Sequence, residues 1–150
     1  MSKSIYEIQG FDELQNKIKR LPDKVKKREM IKILRASAKS TVAAARDEAP
    51  KSKKAHWIRG KKIQPGNLKK SIKVAVLRRS RNPNIVVGPR SSGKFDGFYG
   101  RQFIIKGTTG KSAIKANPFM ERAQRRTEGK VTIETVSKTE KYIQKQIDRL

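Results

Sequence analysis

Two stretches of the chain carry residue types and spacings that could hold a phosphate. Gly88-Pro89-Arg90-Ser91-Ser92-Gly93-Lys94 has the frame of a glycine, four residues, then Gly-Lys. In such a frame backbone N–H groups cradle phosphates, and the next residue must be Ser or Thr to hold a magnesium ion. Here that residue is Phe95, and Asp96-Gly97 breaks the helix that should follow. The second stretch, Gly110-Lys111-Ser112, has the right ending but carries Ile105 where the leading glycine belongs. Both read as basic loops rather than nucleotide sites.

Other chemistry has less to work with. The single histidine, His56, has no sequence-local carboxylate to orient it and no metal-ligand spacing around it, and reads as a polar loop residue. There is no cysteine, so disulfides and thiolate metal sites are excluded. The 13 acids are scattered among Lys and Arg on helical stretches, where pairing and dipole effects account for them. At Asp47-Glu48, Arg46 and Lys51 are the sequence neighbours that offset a charge unfavourable at a helix end. We therefore expect no catalytic, cofactor-binding or metal-binding residue, no cofactor and no enzyme activity.

Binding is a different matter. Residues 51–62, KSKKAHWIRGKK, put Lys53, Lys54, Arg59, Lys61 and Lys62 around one aromatic residue, Trp57. Lys and Arg neutralise phosphates, and Trp57 offers a face on which a base could stack. Alternatively, Trp57 anchors the loop to the domain or to a neighbouring subunit. Arg90 and Lys94 add to the candidate contacts with DNA or a partner. No signature of a known nucleic-acid-binding module accompanies them.

The charge balance points the same way. The 150 residues carry a net charge of +25, and residues 51–100 hold 14 Lys and Arg against one acid, Asp96. Such a field attracts polyanions or acidic protein surfaces and makes association sensitive to salt. The hydrophobic fraction of 35% against 34% charged residues allows one domain with a modest core and solvated elements. No apolar run approaches the ~20 residues of a membrane span, so no membrane partner is expected. The N-terminus lacks a signal-peptide core, which makes the chain cytoplasmic at synthesis.

Elements that must position these residues follow from periodicity. Phe11, Leu14, Ile18 and Leu21 share one helical face, ended by Pro22. Asp23 can cap a second, long helix with an apolar stripe of Ile31, Leu34, Ala38, Val42, Ala45 and Ala49, ended by Pro50. Residues 51–66 and 90–97 read as flexible basic loops. A strand beginning near Leu68 and carrying Ile72, Val74 and Val76 pairs with Ile85-Val86-Val87 in a hairpin across a turn at residues 81–84. Phe98, Tyr99, Phe103, Ile104 and Ile105 suggest a third strand. After Asn117 as cap and Pro118 in the first turn, the chain reads helical to its end, with Val136, Ile143, Ile147 and Leu150 on one face and Gly129 a point of interruption. The fold class is α+β: N-terminal helices, a small antiparallel sheet of three or four strands with long loops, and a C-terminal helix, in one domain over residues 1–150.

Six short motifs in order carry a resemblance. Gly10-Phe11 with Leu14 opens the series, and an Ala-rich helix closes at Ala49-Pro50. Gly66-Asn67-Leu68-Lys69-Lys70-Ser71-Ile72, Val86-Val87-Gly88, and Phe98-Tyr99 leading to Gly107-Thr108 follow. Ala116-Asn117-Pro118-Phe119-Met120-Glu121-Arg122-Ala123 ends it. Over nearly its whole length the chain resembles the tail-completion, or minor tail-component, family of long-tailed bacteriophages and prophages. It departs from that family at Ile105-Lys106, where Glu-Phe usually precedes Gly-Thr.

The resemblance implies a structural protein of the virion neck that completes the tail and joins it to the head connector. Its partners would be other virion proteins: connector or head-completion proteins and tail-tube or tail-terminator proteins. Identical copies would close into a homo-oligomeric ring around the DNA passage, with contact to packaged DNA. Phe98, Tyr99, Ile105, Lys106, Thr108, Pro118 and Phe119 are the expected subunit interface. Location would be the virion neck, reached from the host bacterial cytoplasm during assembly. The competing expectation is a basic DNA- or RNA-binding protein acting through residues 51–62.

Overall fold

A computed structural model describes residues 23–58, 60–91, 94–111 and 113–149. The helix expected from Phe11 to Leu21 lies outside the described residues. Helix α1 spans Asp23–Ser37 and α2 spans Lys39–Glu48. The apolar stripe predicts a single helix here, and the two pieces are nearly that. At the Ala38 joint, the Ala38 N–H still donates to the Leu34 carbonyl (2.9 Å), and the Val42 N–H to that of Ala38 (3.0 Å). The Ser40 hydroxyl also donates to the Ser37 carbonyl at 3.2 Å, a side-chain bond that competes with the helical ladder. Ala49 turns to extended backbone (φ −65°, ψ 129°) because Pro50 disfavours helix in the residue before it.

The stretch expected as a loop over residues 51–66 instead holds a hairpin. Strands β1, His56–Ile58, and β2, Lys61–Ile63, pair antiparallel with Trp57 opposite Lys62. Two residues join them, and Gly60 takes φ 74° there. Strands of three residues, flanked by lysines, are too short to show a period. A one-turn helix α3, Asn67–Ser71, replaces the expected start of the next strand; β3, Ile72–Val76, then pairs with β4, Ile85–Pro89, in register Val74 with Val87. The four strands thus form two separate two-stranded sheets.

The third strand expected over 98–105 is helical. Residues Gly100–Ile104 form a π turn in which the Ile105 N–H reaches the Gly100 carbonyl at 3.1 Å. Short apolar runs suit either period, and here the four-residue spacing decides: Tyr99 and Phe103 meet with ring centroids 5.2 Å apart. Gly100 permits it, since a Cβ there would collide with a Leu68 methyl group.

Helix α4, Phe119–Ile147, is continuous through Gly129 and about 43 Å long at 1.5 Å per residue. It starts one residue later than expected, and Asn117 gives no cap: its side-chain oxygen accepts from Arg122 Nη2 at 2.8 Å instead. Phe119, Ala123 and Thr127, spaced by four, form its buried stripe, and α4 packs mainly on α2 and α1. Val136, expected on the buried face, is exposed, because nine residues beyond Thr127 is half a turn round the helix. The core is small: Ala44, Ala45 and Ala49 of α2, Ile72 of β3, and Phe119 and Ala123 of α4, flanked by Leu68 and Val87. Alanines let α2 and α4 approach closely. Hydroxyls of Thr41 and Thr127 meet across that contact at 2.8 Å.

Candidate functional site

The hairpin β1–β2 positions most of the basic candidates. Alternation along β1 sends His56 and Trp57 to opposite faces. His56 turns toward the body, its ring 6.1 Å from that of Tyr99, beside a cavity of 610 Å³ that Ile63, Asn67, Leu68 and Asp96 also line. The Asp96 carboxylate on that lining accepts from the Phe98 N–H at 2.8 Å. Trp57 is 70% exposed. Among the described residues it therefore anchors nothing. Lys53, Lys54, Lys61 and Lys62 are exposed around it, and Arg59 lies outside the described residues.

Arg90 and Lys94 separate from that group. Arg90 follows β4, its N–H donating to the Ser71 carbonyl (3.0 Å) and its carbonyl accepting from Gly97 N–H (2.7 Å). The Walker-like frame is thus spent on a strand, since Gly88 and Pro89 both belong to β4. Lys94 stands 5.8 Å from the centre of the Phe95 ring.

The expected subunit interface divides likewise. Phe98 packs edge-on against Phe103 at 6.4 Å, and with Tyr99 the three form a partly exposed aromatic cluster on the π turn. Lys106 and Pro118 are exposed, and Ile105 packs half-buried against the core. Phe119 is not available to a partner: it is fully buried, because α4 must seat its first turn on the α2 alanines. Thr108 is occupied as well. Its hydroxyl accepts from the Ile114 N–H (2.8 Å), and its own N–H donates to the Ile114 carbonyl (2.9 Å), closing the loop of residues 108–114.

The acids of α2 face α4 and α3. Glu48 pairs with Arg122 (3.0 Å) and Arg126 (3.6 Å), and Asp47 with Lys69 (3.7 Å), rather than with Arg46 and Lys51 as expected. Arg46 turns instead to the sheet, donating to the Ile72 carbonyl at 3.0 Å.

A second basic surface was not apparent from the sequence. α1, α2 and the hairpin β3–β4 enclose a groove whose larger part measures 1190 Å³ and whose adjoining part measures 670 Å³. Arg28, Lys32, Arg35 and Lys39 line one wall; Lys73, Arg78 and Arg90 line the other, over a floor of Ile31, Val74 and Ala75. Lys27 bridges the walls, donating to the Ser80 carbonyl at 2.6 Å. The 4-3-4 spacing of the first four cations was legible, but their facing wall lies some fifty residues away in the chain. Comparison with known protein families, with curated proteins and with solved structures returns no match for this chain.

Proposed function

We propose that this protein is a non-enzymatic structural subunit of the phage neck, which completes the tail and joins it to the head connector. One observation carries this reading. Among the described residues, the six of the buried cluster that joins α2, β3 and α4 all belong to motifs on which the resemblance rests: Ala44, Ala45 and Ala49 of the Ala-rich helix, Ile72 of the strand start, and Phe119 and Ala123 of the closing motif. Motifs that are far apart in sequence thus act together as the determinants of one fold.

What lies outside that core suits an assembly subunit. The hairpin presents Trp57 among lysines, and the distal half of α4 exposes Ile133 (72%) and Val136 one turn apart. Large apolar side chains exposed together mark interaction surfaces. A subunit that closes with copies of itself and also grips two different neighbours needs several such faces.

The hairpin is the arm to test. Because none of the described residues between Pro50 and Gly66 belongs to the core cluster, replacing residues 51–62 with a short Gly-Ser linker should leave the domain folded, with its thermal transition within a few degrees of the parent. Electron micrographs of lysates carrying that variant should show separate heads and tails. Normal joined virions would contradict the proposal.

A further inference from the structure

We propose that the groove between α1–α2 and the β3–β4 hairpin, rather than the Trp57 hairpin, is a sequence-independent seat for the backbone of duplex DNA. This stands on the groove itself and does not depend on the neck assignment.

The first observation is the row on α1 and α2. Arg28, Lys32, Arg35 and Lys39 recur at spacings of four, three and four residues, so they form a straight file on one helical face with steps of about 4.5–6 Å. Like charges at these spacings repel along a helix face and destabilise it. Elsewhere the chain relieves such crowding with acids, as Glu48, Glu121 and Glu134 do for Arg122, Arg125 and Lys138. Along the groove it does not: among the described residues, Glu29 on Lys32 is the one carboxylate that pairs with either wall.

The second observation is the facing wall. Lys73, Arg78 and Arg90 approach from β3–β4, so a ligand in the groove meets cations from both sides. A regularly repeating polyanion matches a regular file of cations. An acidic protein segment would have to repeat its carboxylates at the same steps. A second copy of this chain, itself at +25, would be repelled.

The lining also separates duplex from single strand. Among the described residues no aromatic side chain lines the groove, so unstacked bases find no stacking face on them. The described residues bring no Asn, Gln, Ser or Thr to its lining either, and apart from Lys and Arg side chains the floor they form offers only Ile, Val and Ala. Such a surface grips phosphates, and phosphate contacts fix position on a duplex without carrying sequence information.

The test is a salt titration of binding to a fluorescein-labelled 20-base-pair duplex, by anisotropy, for three variants with equal charge loss. One is Arg28→Gln, Arg35→Gln, Lys39→Gln in the groove; another is Lys54→Gln, Lys61→Gln, Lys62→Gln in the hairpin; the third is Lys130→Gln, Lys141→Gln, Lys145→Gln on α4. All nine positions are exposed, and Gln is a good helix former, so folding should persist and is checked by circular dichroism. The groove variant should flatten the log–log salt slope by roughly 2–3, near 0.9 per lost phosphate contact, while the other two change it by less than about 1. Emission from Trp57, the only tryptophan, should stay unchanged on duplex binding. Equal flattening by all three variants would overturn the proposal. So would flattening confined to the hairpin variant with quenched Trp57, or no duplex binding even at low salt.

Discussion

At the scale of single residues, Gly107 and Thr108 illustrate how a motif can be structural without being an interface. Gly107 sits at φ 74°, and a Cβ there would lie 2.8 Å from both the Ala116 nitrogen and the Ile114 carbonyl oxygen. Only glycine meets both conditions. Gly107→Ala should therefore cost about 1–3 kcal/mol from backbone strain, more if the loop cannot yield, read as a lower urea midpoint. Thr108→Val strands the Ile114 N–H and should cost about 1–3 kcal/mol. In the core, Phe119→Ala should cost about 3–5 kcal/mol, since a fully buried ring leaves a cavity among small residues that cannot collapse to fill it. Of the residues named from the sequence as an interface, Phe119 and Thr108 thus serve the fold. Chain order alone could not separate them from Phe98 or Lys106, because burial depends on what α2 brings to the site.

Elements differ in how far local pattern determined them. The α1–α2 stripe and the β3–β4 pairing follow their periods, as long patterned segments do, and α4 is helical as expected although it buries a different face, Phe119, Ala123 and Thr127. The hairpin β1–β2 and the π turn do not. The hairpin strands are three residues long, and the turn owes its conformation to the approach of Leu68 to Gly100, a tertiary contact thirty-two residues apart. The groove is not legible in the sequence for a similar reason: its two walls come from residues 28–39 and 73–90, and only the fold sets them face to face. Helix α4 offers a direct check on its own continuity. Gly129 is exposed, inside the helix, with open space where a Cβ would stand. Gly129→Ala should stabilise the protein by about 0.5–1 kcal/mol and raise its melting temperature by a few degrees.

At the scale of the whole molecule, the described residues form a small alanine-lined core that carries a basic hairpin and a long helix, in a chain with a net charge of +25. Charge of that size opposes close packing of identical copies unless anions lie between them. The proposed ring around DNA would answer both facts, with phosphates in the grooves and neighbouring virion proteins on the hairpins. The most direct measurement of the central claim is immunogold labelling of purified virions, from the phage or induced prophage that encodes the chain, using an antibody to this protein. Gold should gather at the junction of head and tail. Virions without gold, or gold found only on released DNA, would contradict it.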